Sequence, residues 1–372
     1  MKKLLIVLLS LSLILTACTG SKDKKESGAA VDSKGEAVEK FEHTFFDTFD
    51  TIIKFVSYQK SQEDFDVYKD ILVNEYQRLH KLYDNYNDYK DINNIKTVND
   101  NAGKGPIEVD PDLINLIEFS IENNKKVSNK TNIAMGSVLK IWHDYREKGL
   151  ENPQDAKIPA LDELQTAAGH MDIGNVKINK KNNTVELTDP EMSLDLGAVA
   201  KGYATELIAK KLMAEGLESG IISAGGNVRT IGKPQDGLRE YWGIGIQNPD
   251  NALGKSDEQT IEVLYVHDMS VVTSGDYQRY YEVDGKNYHH LIDPEELMPM
   301  TYFRSVSVVV EDSGMADFLS TAAYLMPFED SKKLIESYKG AEALWIMNDN
   351  SIEATEGLLK SMRSQGASSQ DK

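Results

Sequence analysis

Residues 192–204 read Met-Ser-Leu-Asp-Leu-Gly-Ala-Val-Ala-Lys-Gly-Tyr-Ala, and we interpret the rest of the chain outward from this stretch. Its first three residues are typical of the end of a strand, and Gly197 allows a tight turn. From Ala198 onward, apolar residues recur at helical spacing, which predicts a helix. Asp195 and Lys201 would therefore lie where a strand meets a helix N-terminus, at which free N–H groups and the helix dipole favour anions.

Two interpretations of this stretch remain open when it is considered alone. Lys201, one turn into the predicted helix, would add a mobile positive charge and complete a phosphate site. The same pattern also occurs in an ordinary strand–turn–helix unit whose lysine is simply solvated at the surface.

The N-terminus has the pattern of an export signal. Lys2 and Lys3 precede an apolar run over residues 4–15, which is short for a membrane-spanning helix. Residues 15–18, Leu-Thr-Ala-Cys, resemble a bacterial lipobox, in which the signal is cleaved before a cysteine that then receives a diacylglycerol. We therefore expect a signal peptide over residues 1–17 and a lipid anchor with palmitate-type acylation on Cys18. The protein would then be held at the cell membrane, facing outside the cytoplasm.

Composition predicts how the remaining chain is organised. Residues 18–40 are rich in small and charged side chains, which is typical of a flexible tether. Residues 41–362 are long enough to bury a large core, and residues 363–372 have the composition of a disordered tail. Cys18 is the only cysteine, so an intramolecular disulfide is excluded.

The charge of the chain excludes one class of partner. The formal net charge is −19, and removal of Lys2 and Lys3 with the signal lowers it to −21. Such an acidic chain is not a general nucleic-acid binder. A phosphate-bearing ligand would need local lysines or a metal ion, because the overall field repels it.

The order of predicted elements indicates the fold class. An amphipathic helix is predicted over residues 65–83, further helices after the Asp110 cap and over residues 138–145 and 160–168, and an apolar helix over residues 315–325. Predicted strands cover residues 220–223, 228–231, 242–247, 260–266, 305–310 and 343–346, and two hairpins turn at residues 180–183 and 284–285. Because strands and helices do not alternate steadily, we predict an α+β fold.

Two further motifs carry possible chemistry. Asp317 and Thr321 are spaced i and i+4 on a predicted helix, so both point from one face, and with a turn carbonyl they would suit a hard cation such as Mg²⁺. His290 ends a predicted hairpin strand and could carry a proton or bind phosphate. Each motif also has an ordinary structural interpretation. Asp317 could be a surface aspartate and Thr321 could hydrogen-bond to the backbone of its own helix, and His290 could be a structural histidine of the strand.

Five blocks of the sequence are read together. They are residues 195–204; residues 223–227, Ser-Ala-Gly-Gly-Asn; residues 273–277, Thr-Ser-Gly-Asp-Tyr; residues 290–294, His-Leu-Ile-Asp-Pro; and Ala316-Asp317 with Thr321. Taken together, these blocks resemble the signature blocks of ApbE-type FAD:protein FMN transferases. They occur in the order of that family, and the resemblance covers about residues 41–359.

The resemblance implies a fold and an activity. The fold would be ApbE-like, with T-fold-like sheets, packed helices and a flavin site between subregions. The activity would be that of a phosphotransfer-type transferase, which attaches FMN from FAD through a phosphoester to a threonine of an extracytoplasmic acceptor protein and releases AMP. Two alternatives use the same site: a Mg²⁺-dependent FAD pyrophosphatase, and a flavin-binding lipoprotein without catalytic activity.

The resemblance also implies roles for individual residues. Mg²⁺ would bind the Ala198 carbonyl and the side chains of Asp317 and Thr321. The chemistry of the transfer adds one further role: the acceptor threonine hydroxyl needs a base, for which His290 is the first candidate and an aspartate the second. The residues implied to contact FAD are Phe46, Tyr86, Asn132, Ile133, Ala134, Asp195, Lys201, His290 and Leu291.

Two segments depart from the family pattern. Asn132-Ile133-Ala134 stands where the family commonly has Asp-Pro-Thr, so a carboxylate role is lost there, whereas contacts through the backbone would survive. Residues 294–297, Pro-Glu-Glu-Leu, stand where the family usually has Pro-x-Thr-Gly. The second departure removes the expected turn glycine and the threonine.

Overall fold

The computed structural model describes residues 30–371. The predicted signal peptide, Cys18 and residues 19–29 of the predicted tether lie outside the described residues. Within residues 30–371, antiparallel sheets and packed helices confirm the predicted α+β class. No helix in this part of the chain has the length and apolar character needed to cross a bilayer.

The strands of residues 30–371 include every strand and hairpin predicted above, but residues 192–194, predicted to end a strand, lie in none. In chain order they are β1 Glu39–Thr48, β2 Thr51–Gln59, β3 Ile107–Glu108, β4 Val176–Asn179, β5 Thr184–Leu187, β6 Gly220–Ala224, β7 Asn227–Ile231, β8 Trp242–Gln247, β9 Thr260–Val266, β10 Ser270–Gly275, β11 Tyr280–Val283, β12 Lys286–His289, β13 Ser305–Val310, β14 Glu342–Ile346 and β15 Ile352–Ala354. Strands β1, β2, β3, β10 and β15 accompany the strands predicted above.

The helices of the same region include several longer than predicted. They are α1 Gln62–Tyr83, α2 Ile95–Asp100, α3 Pro111–Lys126, α4 Gly136–Glu151, α5 Leu161–Ala168, α6 Ala200–Ala214, α7 Pro249–Ala252, α8 Ser313–Tyr324, α9 Phe328–Ser337 and α10 Glu356–Leu359. Short 3-10 turns cover Ile133–Met135, Pro153–Asp155, Ile173–Asn175 and Arg363–Gln365.

One antiparallel sheet carries the fold. Its eight strands have the order β1-β2-β6-β7-β10-β13-β14-β15, and side chains on both of its faces are buried. In β13, Val308 packs into the core on the face covered by α1, α6 and α8, whereas its neighbour Val309 packs against the β8–β9 ribbon on the other face. Because successive side chains of a strand point to opposite faces, the small and β-branched residues of β13, all of them buried, fit a sheet that is covered on both sides.

A smaller apolar cluster lies to one side of this core. Trp142 of α4 stacks on Tyr288 of the β11–β12 hairpin, with ring centroids 6.2 Å apart, and the Tyr281 hydroxyl donates to the Lys157 carbonyl at 2.9 Å. Asp284 and Gly285 both have positive φ, as the predicted two-residue hairpin turn requires. The cluster holds the hairpin and α4 together as one wall, separate from the main sheet.

Helices α6 and α8 are in close contact at Gly202. A Cβ placed on Gly202 would overlap the Ser313 carbonyl oxygen and lie 2.5 Å from the Asp317 Cβ. Only glycine therefore allows the two helices to pack at this distance, and the close approach brings the Gly202 N–H to the Asp317 carboxylate.

This packing makes Gly202→Ala destabilising, although alanine is the better helix former by about 1 kcal/mol. We expect the free energy of unfolding to fall by about 1–3 kcal/mol, because the helices must separate to admit the methyl group. Urea denaturation measures the effect. Gly243→Ala is the control, because its Cβ would meet only movable side-chain atoms of Tyr265 and Val263, the nearest at 3.3 Å. Unchanged stability of the Gly202→Ala variant would contradict the packing described here.

Some boundaries differ from the predictions. Helix α6 begins at Ala200 rather than Ala198, because Val199 has a non-helical φ of −141°. The first strand begins at Glu39, and Val31 pairs with Ala37 inside the predicted tether. Residues 363–372 were predicted to be disordered, but Arg363–Gln365 form a 3-10 turn. The Ser369 carbonyl, in the same segment, accepts hydrogen bonds from two backbone N–H groups, which tie the segment to the start of β8.

Candidate active site

A cavity of about 470 Å³ opens between the main sheet and the wall formed by α4 and the β11–β12 hairpin. It is lined by the junction before α6, the turn between β6 and β7, the end of β10, one face of α8 and residues of the hairpin. Elements from distant parts of the sequence thus converge on one space.

Nine of the twelve residues that the resemblance implied for FAD and metal binding line this cavity. They are Tyr86, Asn132, Asp195, Ala198, Lys201, His290, Leu291, Asp317 and Thr321. The other three, Phe46, Ile133 and Ala134, are not part of the cavity wall.

Phe46 lies on β1 with 70% of its surface exposed. The pairing of β1 with β2 is irregular between Phe45 and Thr48, just where Phe46 stands. The aromatic residue that lines the cavity from this region is Phe49, in the β1–β2 turn, with a positive φ of 54°. The aromatic run over residues 45–49 is visible in the sequence. Whether Phe46 or Phe49 lines the cavity depends on the pairing of β1 with β2, which the sequence does not show.

Ile133 and Ala134 are buried beneath the cavity, and their backbone groups position its wall. The Ile133 carbonyl accepts from the Asp195 N–H at 2.9 Å, and the Ala134 N–H donates to the Asn132 side-chain oxygen at 2.9 Å. Because these groups are already engaged, the two residues hold Asp195 and Asn132 in place rather than face the cavity.

Three oxygen-bearing groups converge at the junction of α6 and α8. The Thr321 hydroxyl lies 3.5 Å from the Ala198 carbonyl oxygen, and Asp317 stands one helical turn before Thr321 on the same face of α8. The Asp317 and Thr321 side chains are nearly buried, with 5% and 6% exposure, yet both line the cavity. A carboxylate, a hydroxyl and a carbonyl together form a hard-oxygen donor set of the kind that Mg²⁺ accepts.

The residues around Asp317 hold its carboxylate in a defined orientation. Burial raises the pKa of Asp317, and the Lys201 ammonium, the Gly202 N–H and the Asn227 amide oppose that rise. The Gly202 N–H donates to Asp317 Oδ2 at 2.8 Å, which leaves the other oxygen for a ligand. The donor set therefore fits a single small cation, although no group of three or more His, Cys, Asp or Glu side chains suited to a metal occurs in residues 30–371.

Asn227 supports this site, and the sequence analysis did not assign it a role. Its side-chain oxygen accepts from the Ser313 hydroxyl at 2.7 Å, and the Ser313 N–H donates to Glu206 at 2.9 Å. Gly225 and Gly226 precede it with φ values of 52° and 91°, which only glycine adopts readily, so the turn can pass close to the cavity. The motif of residues 223–227 was visible in the sequence, but its contact with α8 was not.

His290 lies at the end of the β11–β12 hairpin and lines the cavity. Burial holds the pKa of His290 well below its usual value, and the nearby positive charges of Arg279, Lys201 and Arg146 lower it further. Its Nδ1 is buried without a hydrogen-bond partner among the described residues. The ring is therefore neutral at pH 7 and has an atom that can accept a proton.

The preceding residue, His289, fixes the backbone beside it. The His289 ring accepts from the Leu291 N–H at 3.2 Å through Nδ1, so its other nitrogen donates to the Met300 carbonyl at 2.8 Å. Burial lowers the pKa of His289 to about 4, which keeps this arrangement neutral. His289 thus holds the segment that carries His290.

The segment after His290 keeps its turn without the expected glycine. Leu297 has a positive φ of 59°, its N–H donates to the Asp293 carbonyl at 2.8 Å, and its carbonyl accepts from Trp142 at 3.0 Å. Its side chain is buried in the cluster around Trp142. Packing and hydrogen bonds therefore offset the cost of the left-handed conformation, which is roughly 1–2 kcal/mol.

Two arginines also line the cavity, and the sequence analysis did not predict either of them. Arg146 of α4 contacts His143 at 2.9 Å, and the His143 ring lies 5.2 Å from the Tyr86 ring. Arg279 precedes β11 and donates to the Asp50 carbonyl at 3.3 Å. With Lys201, these residues place three cationic groups on the wall of the cavity, which Asp50, Asp84, Asp195 and Asp317 also line, and Tyr86 adds an exposed aromatic surface.

The fold and the cavity together define an α+β protein whose candidate active site brings cationic, carboxylate and aromatic side chains together. A sequence model of the ApbE family matches residues 49–345. The chain is similar to an FAD:protein FMN transferase of Treponema pallidum, with 33% identity over 72% of this chain and 75% of the relative. It is also similar to an FAD:protein FMN transferase of Klebsiella pneumoniae, with 30% identity over 69% of this chain and 76% of the relative.

Solved structures agree with these relatives. An ApbE protein from Thermotoga maritima superposes with a TM-score of 0.73 and 28% identity, over 86% of this chain and 98% of that chain. The flavin transferase ApbE from Vibrio cholerae shares the fold, with a TM-score of 0.70 and 22% identity, over 86% of this chain and 97% of that chain. The chain belongs to the ApbE family, and it is an enzyme of the transferase class.

Proposed function

We propose that the protein transfers FMN from FAD to a threonine hydroxyl of an acceptor protein, releases AMP and uses Mg²⁺. The names of its relatives support the FAD:protein FMN transfer. One observation carries the proposal: oxygen donors of Ala198, Asp317 and Thr321 converge beside Lys201. The oxygen donors suit Mg²⁺, and Mg²⁺ and the lysine would both interact favourably with the negative charge of a diphosphate.

The chain's own residues provide binding, positioning and proton transfer. Ala198, Asp317 and Thr321 would hold Mg²⁺, which when bound supplies Lewis-acid stabilisation of the negative charge on the diphosphate. Lys201 contacts the same group from the first turn of α6. His290, neutral and with Nδ1 available, accepts the proton of the attacking threonine hydroxyl.

The reaction requires alignment rather than a covalent enzyme intermediate. The threonine oxygen forms a bond to the phosphorus of the FMN half while the bond from that phosphorus to the oxygen of AMP breaks, and AMP leaves with the electron pair. In-line phosphoryl transfer of this kind depends on positioning and electrostatic stabilisation. The cavity lies between packed helices and a hairpin that contacts with α4 and the hydrogen bonds of His289 hold in place, and this arrangement suits the need for alignment.

The function is tested by incubating the purified protein with FAD, Mg²⁺ and a threonine-bearing acceptor domain of a bacterial flavoprotein. We expect a mass gain of one FMN on an acceptor threonine, equimolar AMP, and loss of both on addition of EDTA. AMP and free FMN at a rate rivalling transfer, without acceptor, would instead support a pyrophosphatase. Tight FAD binding without cleavage would support a flavin-binding protein.

We further propose that the protein is a lipoprotein anchored to the cell membrane through Cys18 and facing outside the cytoplasm. The lysines, apolar run and lipobox-like residues 15–18 support this proposal. Cys18→Ala should move the protein from the membrane fraction to a soluble one, and the wild-type N-terminal peptide should carry the mass of acyl chains. An unmodified Cys18 in the mature protein would contradict the proposal.

A further inference from the structure

Arg279 and His290 are cross-strand neighbours at the open end of the β11–β12 hairpin. Tyr280 pairs with His289 in the antiparallel register, and the His290 N–H donates to the Arg279 carbonyl at 3.1 Å, which continues that register by one pair. Side chains directly opposite each other in an antiparallel pair lie on the same face of the ribbon, with Cβ atoms about 5 Å apart. Both residues line the cavity, so the shared face is the one turned toward it.

The guanidinium of Arg279 has donor capacity that the fold does not use. In residues 30–371, no carboxylate lies within ion-pair distance of Arg279, whereas Arg304 pairs with Asp250 and Arg229 with Glu206. Among these described residues, the guanidinium makes one hydrogen bond, the 3.3 Å contact with the Asp50 carbonyl. Because a guanidinium carries five N–H donors in a planar fork, most of them remain available to a ligand oxygen.

A second cation approaches the cavity from a different wall. Lys201 belongs to the first turn of α6, next to the oxygen donors of α8, whereas Arg279 belongs to the hairpin. The two cations stand on separate elements around one space, and His290 lies among them. A phosphate there would meet cationic donors from two directions.

We propose that Arg279 is a catalytic residue of this transferase, which binds the phosphate of the FMN half through its guanidinium and stabilises the charge on it during transfer. This inference rests on the proposed function. Arg279 contacts the non-bridging oxygens of the phosphorus under attack. The new bond joins that phosphorus to the threonine oxygen, the bond to AMP breaks with its electron pair, and His290 receives the hydroxyl proton.

Arg279 also affects the protonation of its neighbour. The charged and titratable groups that face His290 are Arg279 on the hairpin, His289 beside it, Lys201 on α6 and Arg146 on α4. Burial is the main cause of the low pKa of His290, and Arg279 is the largest of the charge contributions. Removal of the Arg279 charge should therefore raise the pKa of His290 without restoring its usual value.

Ligand binding tests the phosphate contact without any turnover. The wild-type protein should bind FMN more tightly than riboflavin in the presence of EDTA, because only FMN carries the phosphate. Arg279→Gln should reduce this preference by about tenfold, the usual scale of one charge-assisted hydrogen bond of about 1.5 kcal/mol. The preference of Arg279→Lys for FMN should lie between those of the wild type and Arg279→Gln, because lysine keeps the positive charge but not the planar fork of donors.

The kinetic test uses the acceptor assay described above. Arg279→Gln should lower kcat for FMN transfer by about 10²–10³-fold, as expected when one preorganised donor to a charged transition state is removed. The acid limb of the pH profile of this variant should move to higher pH, because loss of the Arg279 charge raises the pKa of His290. Loss of a purely structural contact between Arg279 and Asp50 would not shift the limb. Arg363→Gln, an exposed change of the same charge outside the cavity, should match wild type in every measurement.

The outcomes separate this inference from the proposed function. If wild type transfers FMN but Arg279→Gln keeps its FMN preference, its kcat and its acid limb, the inference is wrong and the proposed function stands. If wild type shows no transfer to any acceptor, the proposed function fails first, and the FMN-against-riboflavin comparison still decides whether Arg279 binds the phosphate. Thermal melting of each variant shows that it is folded before any comparison is made.

Discussion

Asp317→Asn should lower the rate of FMN transfer by about 10³-fold, the scale of several kcal/mol that a bound cation contributes to a charged transition state. Asparagine keeps an oxygen that can accept from the Gly202 N–H, so the local hydrogen bond survives. It removes the only negative charge of the donor set formed with Ala198 and Thr321. The loss should therefore come from the cation and not from the fold.

Two measurements check this prediction. Mass spectrometry of the acceptor gives the transfer rate, and calorimetric titration with Mg²⁺ or Mn²⁺ in the presence of FAD gives the cation affinity, which should weaken strongly. Asp312→Asn is the matched control, because it lies on the cap of the same helix and asparagine caps helices as well as aspartate does. If Asp317→Asn bound the cation as tightly as the wild type does, Asp317 would not be a ligand of the cation.

His290→Gln should lower kcat by about 10²–10⁴-fold, the usual contribution of a general base. Glutamine keeps a polar side chain of similar size but cannot accept a proton near neutral pH. The binding of FAD should change little by comparison, because the lost step occurs only in the reaction. His267→Gln, an exposed histidine outside the cavity, is the control.

The pH profile of the wild-type enzyme identifies the base. A base acts in its deprotonated form, so activity should be constant above the pKa of the base and fall as the pH drops through it. Because the pKa of His290 is well below 6.5, the acid limb should lie well below pH 6.5. Burial raises the pKa of the nearby Asp276 to about 6, but Asp276 does not line the cavity.

Two results together would assign the proton transfer to Asp276. The acid limb of the pH profile would lie near pH 6 and disappear in Asp276→Asn, and His290→Gln would be fully active. The opposite result, an acid limb well below pH 6.5 and a nearly inactive His290→Gln, is the expected one. The two outcomes differ in both the variant that fails and the position of the limb, so a single set of profiles decides between them.

Local patterns predicted most elements of the fold. The hydrophobic spacing in α1, the Asp110 cap with Pro111 and the Asp284-Gly285 turn each depend on interactions within a few residues, so the sequence contains them directly. Composition predicted a disordered tail but does not reveal the distant hydrogen-bond partners of the Ser369 carbonyl. The start of α6 was placed two residues early for a related reason: periodicity does not report the φ of one residue.

Strand register and burial decide which of the predicted site residues line the cavity. Phe46 and Phe49 are both aromatic and close in sequence, and only the β1–β2 pairing determines which one lines the cavity. Ile133 and Ala134 were expected near the flavin, but their backbone groups are engaged in holding Asp195 and Asn132. Arg279 carried no recognisable signal by itself, since its proposed role depends on a partner strand and on the lack of a carboxylate at ion-pair distance among residues 30–371.

The amino-acid sequence by itself determined the α+β class, the family and the residue types available for the chemistry, because these depend on local spacing and on ordered motifs. The tertiary structure alone decided which groups meet. Residue 198 and the pair at 317 and 321 are more than a hundred positions apart, and they converge only because Gly202 lets α6 and α8 pack in close contact. Such a convergence depends on packing across the core, which no stretch of sequence encodes separately.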